Sequence, residues 1–511
     1  MIEGAATCAV ASLLPGCGAS STPGTTTTVP TPPATNPQPV PTGALTVATL
    51  GVTAVSTGTI GAEFIGLSTD KLNLTEEPMY VPSNTNLAAL FKLIKVGVLR
   101  FGDGSQDVWT PSGPGQIKGQ VAPADVNNLA SFLTASECQC IYGLNMGGYG
   151  PIPTGNTTIS PNTDGVPTTT ALAAAEAAYV SQKLGSSLYA IEIGNEPDGY
   201  INTFWYNQSP KWGVSVLETV WSTFQSAIVG STPGIPILGP SCGTVSPVVS
   251  VWTQPFGLAE GSKLTALTQH YYRGNGQASP LPTAAQCVSY PDTTLIQTFL
   301  TPLQQTAQTI GKPYRISECN SYYNGGAANV SDAYASSLWV IDFMYTCAQY
   351  GAAGVNFHGG SDTNYEAITD TNGIPTGVRP LYYGILMFAL AGQGTLYTCN
   401  LGAGSLNVSA FAVKTSTGLN IIINNKDPAQ NLEVAVTVPQ TVNTATLMVM
   451  TQATSGVSGP NLSALSGVTI QGATVGANAS FAPSAAYTLT TAGTQFIAYV
   501  PYLSAVLIQI T

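Results

Sequence analysis

The chain is predicted to form an eight-stranded β/α barrel with an accessory antiparallel β-sandwich. Two patterns predict this. Between residues 61 and 390, eight short apolar, β-branched runs recur at spacings that leave room for a helix and its loops. Past about Ala391 the helical pattern stops, and short β-rich segments separated by turn residues take over. A length of 511 residues also exceeds one compact core, so a large domain and a smaller one are expected.

The eight runs are Phe64–Ser68, Val96–Gly102, Cys140–Gly147, Ala190–Glu196, Ile235–Ser241, Leu264–Tyr272, Pro313–Glu318 and Gly351–Gly360. Helical stretches fit between them, among them Asn84–Lys95, Ala124–Ser136, Thr170–Leu184 and Ser331–Tyr350. Eight buried parallel strands with intervening helices is the count of a TIM barrel. Further on, Phe411–Val413, Leu419–Asn424, Leu432–Val438, Ala445–Met450, Ala486–Thr490 and Ala505–Ile510 read as sandwich strands. Leu45–Ile60 alternates apolar residues with Thr and Ser and has no place in the barrel, so it is expected to complete the sandwich. The expected division is a leader and linker over 1–43, a joining strand over 44–60, the barrel over 61–390 and the sandwich over 391–511.

Composition narrows the function. Only 8% of residues are charged, and a net charge of −11 rests on 14 Lys+Arg, which excludes a nucleic-acid footprint. The same shortage argues against a sulfated polyanion as partner. Low charge with abundant Gly, Pro, Thr, Ser and Ala suits a secreted protein. Leu14-Pro15-Gly16-Cys17 ends an apolar stretch and resembles a bacterial lipobox, so a lipid anchor through Cys17 and an outer-surface or periplasmic location are expected. The basic segment that should precede a lipobox is absent, since the chain opens Met1-Ile2-Glu3. The Thr/Pro-rich run from Ser20 to Gly43 would act as an extended spacer of about 70 Å. Nine cysteines form no metal pattern: Cys138-x-Cys140 is tight and isolated, and only two histidines exist to help. No metal and no cofactor are expected. Cys319, beside Glu318, is read as a packing thiol.

In such a barrel the carboxyl ends of the strands face the site. Glu196 ends the fourth run and Glu318 the seventh, while the two histidines, His270 and His358, end the sixth and eighth. Asp70, Arg100, Asp103 and Asp107 follow the first and second. Two glutamates at the tips of different strands are the minimal equipment for breaking a glycosidic bond. Glu192 shares the strand parity of Glu196 but lies roughly 13 Å deeper, where a structural ion pair is its expected role. Plainer readings exist for each residue: a helix-capping Glu in Asn-Glu-Pro, a hydrogen-bonded barrel His270, packing roles for Tyr271, Tyr322, Tyr323 and Tyr365.

Gly194-Asn195-Glu196-Pro197 and Ser317-Glu318 resemble the two catalytic strands of glycoside hydrolase clan A. Leu99-Arg100-Phe101-Gly102, Gln269-His270-Tyr271-Tyr272 and the stretch from Ser317 to Gly326 are similar, more narrowly, to glycoside hydrolase family 79, the β-glucuronidases and heparanases. The resemblance runs from about Leu45 to the C-terminus. It implies a retaining double displacement with Glu318 as nucleophile and Glu196 as acid/base, about 5–5.5 Å apart, the acid's pKa raised and the nucleophile ionised. Arg100 would hold Glu318 as a carboxylate, Tyr271 would orient it, and Asn195 would bond the sugar 2-hydroxyl. Tyr323, the Gly325 amide and Tyr365 would grip a uronate carboxylate through neutral donors. Asp70 and Asp107 would contact sugar hydroxyls, with His358 and the small Gly359-Gly360 beside them. Asp103 departs from the family, which often has glycine there, and an extra carboxylate would repel a uronate. The resemblance implies an exo-acting β-glucuronidase whose partner is a glycan with terminal uronic acid. The alternatives are another clan A specificity (endo-acting or neutral-sugar), or a catalytically inactive carbohydrate-binding surface protein.

Overall fold

The computed structural model describes residues 36–511 except 77, 103–106, 150–167, 206–208, 246, 361–362 and 454–458. The expectations placed on Cys17, on most of the leader and linker, and on Asp103 lie outside the described residues.

The barrel is present. Its strands are β2 (Ile65–Asp70), β3 (Val98–Gly102), β4 (Gln139–Leu144), β5 (Leu188–Ile193), β6 (Ile237–Cys242), β7 (Ala266–Tyr272), β8 (Tyr314–Asn320) and β9 (Ala352–His358). Each neighbouring pair is parallel, and β9 closes the ring on β2. Both faces of these strands are covered, which is why they appear in the sequence as nearly continuous apolar runs. All five residues of β3 are buried. Val98, Ile141, Ala190, Leu238 and Ala266 pack together as one apolar layer of strand residues. Two residues further along β3, β5 and β7 stand Arg100, Glu192 and Thr268, on the same strand face as the layer residues Val98, Ala190 and Ala266.

The helices α1 (Thr85–Leu93), α2 (Pro123–Ser136), α3 (Thr170–Leu184) and α4 (Val214–Ser231) bury one stripe each against the strands. Two others, α5 (Tyr334–Gln349) and α6 (Pro380–Ala391), are buried along almost every residue. The reason is position: they lie between the barrel and the second sheet. Tyr334 donates to the Leu503 carbonyl at 2.8 Å, and Asn424 donates to the Leu338 carbonyl at 2.8 Å. No helix among the described residues is long and apolar enough to cross a membrane.

The second layer is one curled sheet of eleven strands. It contains β1 (Leu45–Ile60), β10 (Gly394–Gly402), β11 (Val408–Lys414), β12 (Leu419–Asn425), β13 (Asn431–Thr437), β14 (Ala445–Gln452), β15 (Val468–Ile470), β16 (Gln495–Val500), β17 (Ser504–Ile510) and two-residue edge strands. It curls over a core that includes Leu50, Ile421, Val434 and Ile508. Strand β1 sits inside this sheet, antiparallel to β10 and parallel to β13. That parallel pair departs from a wholly antiparallel sandwich. It arises because β1 enters from far away in the chain, with no hairpin to impose an antiparallel partner. Ala486–Thr490 contributes only the short strand Tyr487–Thr488. At Gly58 the strand runs so close to α5 that a Cβ would stand 2.3 Å from the Ala348 carbonyl, so only glycine fits.

Candidate active site

The carboxyl end of the barrel gathers a dense polar cluster. At its centre lies Arg100, which is fully buried and fully engaged. Its Nε donates to Glu192 at 2.6 Å, one terminal nitrogen to Glu318 at 2.8 Å and to Ser68 at 3.1 Å, the other to Asn195 at 2.7 Å. A buried guanidinium needs such a set of acceptors, and the two carboxylates raise its pKa further by stabilising the charge. Glu192 is thus the deep ion-pair partner, and it shares one arginine with Glu318.

Glu318 is 11% exposed at the side chain and held on several sides. Tyr272 donates its hydroxyl to Oε1 at 2.8 Å, and Arg100 holds Oε2. Nitrogens of His270 and His358 stand 3.8 and 3.9 Å from Oε2. Burial alone would push this carboxyl up; His358, His270, Arg100 and the Tyr272 hydroxyl outweigh it and hold the group well below the ordinary range. A register shift between Ile316 and Glu318 lets consecutive side chains serve one interior. Ser317 reaches Ser241 inside the barrel at 3.1 Å, and Glu318 reaches Arg100.

Glu196 is placed differently. Strand β5 ends at Ile193, Gly194 follows at φ +79°, and Glu196 itself adopts φ 46°, ψ 52° at the head of a short 3₁₀ turn. A glutamate in the left-handed region carries local strain. Its backbone N–H donates to the Ser241 carbonyl at 2.9 Å. The side chain is 44% exposed, and His270 Nδ1 lies 3.0 Å from Oε1. His270 Nε2 meets an Arg100 nitrogen at 3.1 Å and the Ser241 hydroxyl at 2.8 Å. The ring thus bridges the cluster, with Nδ1 facing Glu196 and Nε2 facing Arg100 and Ser241. Ligating atoms of Glu196, His270 and Glu318 all lie within 4.8 Å of one another. Such a trio could hold a cation, but the Arg100 guanidinium already supplies positive charge to it.

The remaining expected residues fall into three groups. Asn195, Asp70 and His358 border the cluster. The Asn195 amide oxygen is taken by Arg100, which leaves its Nδ2 to donate. His358 Nε2 lies 3.9 Å from Asp70, whose carboxyl is raised by burial and by nearby Glu318 against the opposing pull of His358. Tyr323 and Tyr365 pack on Tyr272, with ring centres 6.3 and 5.9 Å away. Asn324, Gly325 and Gly326 follow Tyr323 in three successive left-handed conformations, φ 59°, 77° and 84°. Where a Gly325 side chain would project there is open space.

Two expectations are corrected. Tyr271 does not reach Glu318. It faces out of the barrel, donates to Asp292 at 2.6 Å and stacks on Phe343, while Tyr272 makes the contact with Glu318. Strand alternation is the cause: His270 and Tyr272 share the inner face of β7, and Tyr271 lies on the other. Asp107 is also turned away from any open pocket. Its fully enclosed carboxylate pairs with the buried ammonium of Lys71 at 3.1 Å, and Lys71 also pairs with Glu176 at 2.8 Å. A buried lysine requires such partners.

Sequence reasoning missed Tyr272, Ser241, Asp198 and Gly243. Asp198 accepts the Gly243 N–H at 2.8 Å, and its carboxyl is raised by burial and by Glu196, against that backbone bond. A Cβ on Gly243 would stand 3.2 Å from the Glu196 carboxyl and 3.3 Å from that of Asp198. The alternation of β7 could have found Tyr272; no local signal marks the other three. The seven described cysteines are all free, six of them buried, and Cys319 donates to the Asn356 carbonyl at 3.3 Å with its thiol pushed up by burial.

This barrel and sheet have known counterparts. No family model matches the chain. A β-glucuronidase of Aspergillus niger is 26% identical over 257 residues, 45% of this chain and 45% of that protein, so the chain spans less than half the length of the curated relative it matches. A 4-O-α-L-rhamnosyl-β-D-glucuronidase from Fusarium oxysporum 12S, solved as its Rha-GlcA complex, superposes with a TM-score of 0.71 at 17% identity, covering 90% of this chain and 100% of that one. A family 51 arabinofuranosidase from Xanthomonas axonopodis pv. citri gives 0.60 at 14% identity over 91% and 99%. The likeness to the two solved structures is one of fold: a closed parallel barrel with a second sheet domain.

Proposed function

We propose that the protein is a retaining glycoside hydrolase, an exo-acting β-glucuronidase that releases terminal glucuronic acid from glycans. The observation that carries this is the Glu196–Glu318 pair, with oxygens inside 4.8 Å of one another and one carboxyl held ionised. A short separation suits direct attack, whereas an inverting pair leaves about 6.5–9.5 Å for a water.

In this reading Glu318 attacks the anomeric carbon while Glu196 gives its proton to the departing oxygen. A glycosyl ester to Glu318 forms and the glycosidic bond breaks. Glu196, now a carboxylate, takes a proton from water, whose oxygen displaces Glu318 and restores both groups. Arg100 and Tyr272 stabilise the carboxylate that leaves. Arg100 is enclosed by its own carboxylates and is unavailable to the substrate acid. The Tyr323 and Tyr365 hydroxyls and the Gly325 amide are the neutral donors assigned to the uronate. Similarity to the Aspergillus niger β-glucuronidase supports the sugar assignment. A carbohydrate-binding barrel without catalysis would have no use for a glutamate kept ionised at the cost of burial. Secretion to the outer surface, with Cys17 as lipid anchor, is proposed on the lipobox-like Leu14–Cys17 run.

The test compares p-nitrophenyl β-glucuronide with the β-glucoside and β-xyloside, and follows the anomer released from the glucuronide by NMR. Preference for the glucuronide and a β-configured first product are expected. Release of the α-anomer overturns the retaining mechanism, and activity on the other glycosides alone overturns the sugar.

A further inference from the structure

Strand β6 ends in a bulge. Along its pairing with β7, Pro240 faces Thr268 and Cys242 faces Gln269, so Ser241 is the extra residue between them. It is fully buried and stands at φ 58°, in the left-handed region that a residue with a Cβ enters at a cost. Leu238 belongs to the inner layer of the barrel, so strict alternation would send Ser241, three residues on, to the outer face. The bulge turns its hydroxyl inward instead, to 2.8 Å from His270 Nε2, 3.1 Å from the Ser317 hydroxyl and 3.2 Å from an Arg100 nitrogen. We propose that Ser241 is a positioning residue for Glu196: its hydroxyl fixes the His270 ring, whose other nitrogen faces the Glu196 carboxyl. The inference rests on the reading of Glu196 as acid/base and not on the identity of the sugar.

Two links run from Ser241 to Glu196. Its carbonyl accepts the Glu196 N–H at 2.9 Å, which seats the backbone of a glutamate that is itself left-handed. Its hydroxyl holds one edge of the His270 ring, and His270 Nδ1 on the other edge lies 3.0 Å from Glu196 Oε1. An imidazole is rigid and planar, so fixing Nε2 fixes the direction of Nδ1. One strained, enclosed residue thus governs both the main chain of Glu196 and the close partner of its carboxyl.

The contacts also decide which carboxylate depends on the hydroxyl. Without it Arg100 keeps Glu192, Glu318, Ser68 and Asn195, and Glu318 keeps Arg100 and Tyr272. His270 Nε2 meets Ser241 at 2.8 Å and Arg100 at 3.1 Å, so it loses the closer of those two partners. Removing the hydroxyl therefore loosens the Glu196 side of the cluster and leaves the nest around Glu318 in place.

The experiment uses two variants, with Glu196→Ala as reference. Ser241→Ala loses the hydroxyl and keeps a Cβ on the left-handed backbone; Ser241→Gly loses both. On the glycone that the parent cleaves best, each should lower kcat/KM about tenfold with a methyl aglycone and less than about threefold with dinitrophenol. Azide should raise kcat on the dinitrophenyl glycoside in both variants and in Glu196→Ala, and leave the parent unchanged. Its nitrogen bonds to the anomeric carbon as the ester bond to Glu318 breaks, and no proton has to be removed, whereas water needs Glu196 as base. A merely structural role would lower thermal stability and slow both aglycones alike. Equal losses on the two aglycones, or no response to azide, in either folded variant overturns the inference. If Glu196→Ala itself shows neither signature, the retaining reading fails and the inference falls with it.

Discussion

Glu196 and Glu318 are the same side chain at two strand ends of one barrel, held in opposite ways. Glu318 leaves a bulged strand into an enclosed nest of Arg100, Tyr272 and two histidines, with 11% of its side chain exposed. Glu196 leaves its strand through a left-handed turn, is 44% exposed and has His270 as its close partner. In the proposed mechanism the contrast divides one residue type between two tasks. A nucleophile must be ionised and fixed, and positive neighbours achieve both. A proton donor must exchange with water and with departing groups of varied size, so an open position suits it.

The strongest way to break that contrast is to remove each carboxylate in turn. Glu318→Ala should lower kcat by about 10⁴-fold or more whatever the departing group. Glu196→Ala should cost about 10²–10⁴-fold on a sugar or methyl aglycone, where protonation is needed, and less than about tenfold on dinitrophenol. Steady-state rates over a series of aglycones decide the matter. Equal leaving-group dependence in both variants would dissolve the division of roles.

A smaller effect separates two adjacent tyrosines. Tyr272→Phe removes a hydrogen bond to a charged, enclosed carboxylate, about 1.5–3 kcal/mol, and should lower kcat by about 10- to 100-fold. Tyr271→Phe leaves Asp292 still paired with Arg273 at 2.9 Å. It should reduce stability by about 1 kcal/mol and change kcat by less than about threefold. Paired kinetics and thermal unfolding measure this, and a reversed ranking would return the orienting role to Tyr271.

These tyrosines also show what was legible in the sequence. Eight apolar runs were visible because a two-sided burial leaves no polar alternation to confuse them. The inner face of β7 was equally legible, since His270 at a strand end fixes the parity of Tyr272. Asp107 was not, because its partner Lys71 comes from the end of another strand, and Lys71 in turn requires Glu176 from a helix. The sharing of Arg100 between Glu192 and Glu318 likewise joins three strands that no spacing relates. Local pattern reveals which face a residue takes. It does not reveal who waits on that face. For β1 the limit was sharper still: its alternation marked a strand, while its parallel pairing with β13 depends on a segment nearly 400 residues later.

The finest test of the contrast is pH. A carboxyl whose folded pKa is depressed stays ionised as acid is added, so the acidic limb of kcat/KM should lie below about 4.3, the value of an unperturbed glutamate. The same shift links to stability. The contribution of Glu318 is fully present above its unfolded pKa of about 4.3 and is lost as pH falls through the lower folded value. Tyr272→Phe removes one of the groups that lower this pKa, so it should move the acidic limb upward by a fraction of a unit. Tyr271→Phe, bonded outside the barrel to Asp292, should leave the limb where it is. A profile from pH 3 to 7 for the two variants and the parent, with folding checked at each pH, measures the shift. An acidic limb that moves in neither variant would mean that Arg100 and the histidines alone keep Glu318 charged, and that the Tyr272 hydroxyl serves position rather than ionisation.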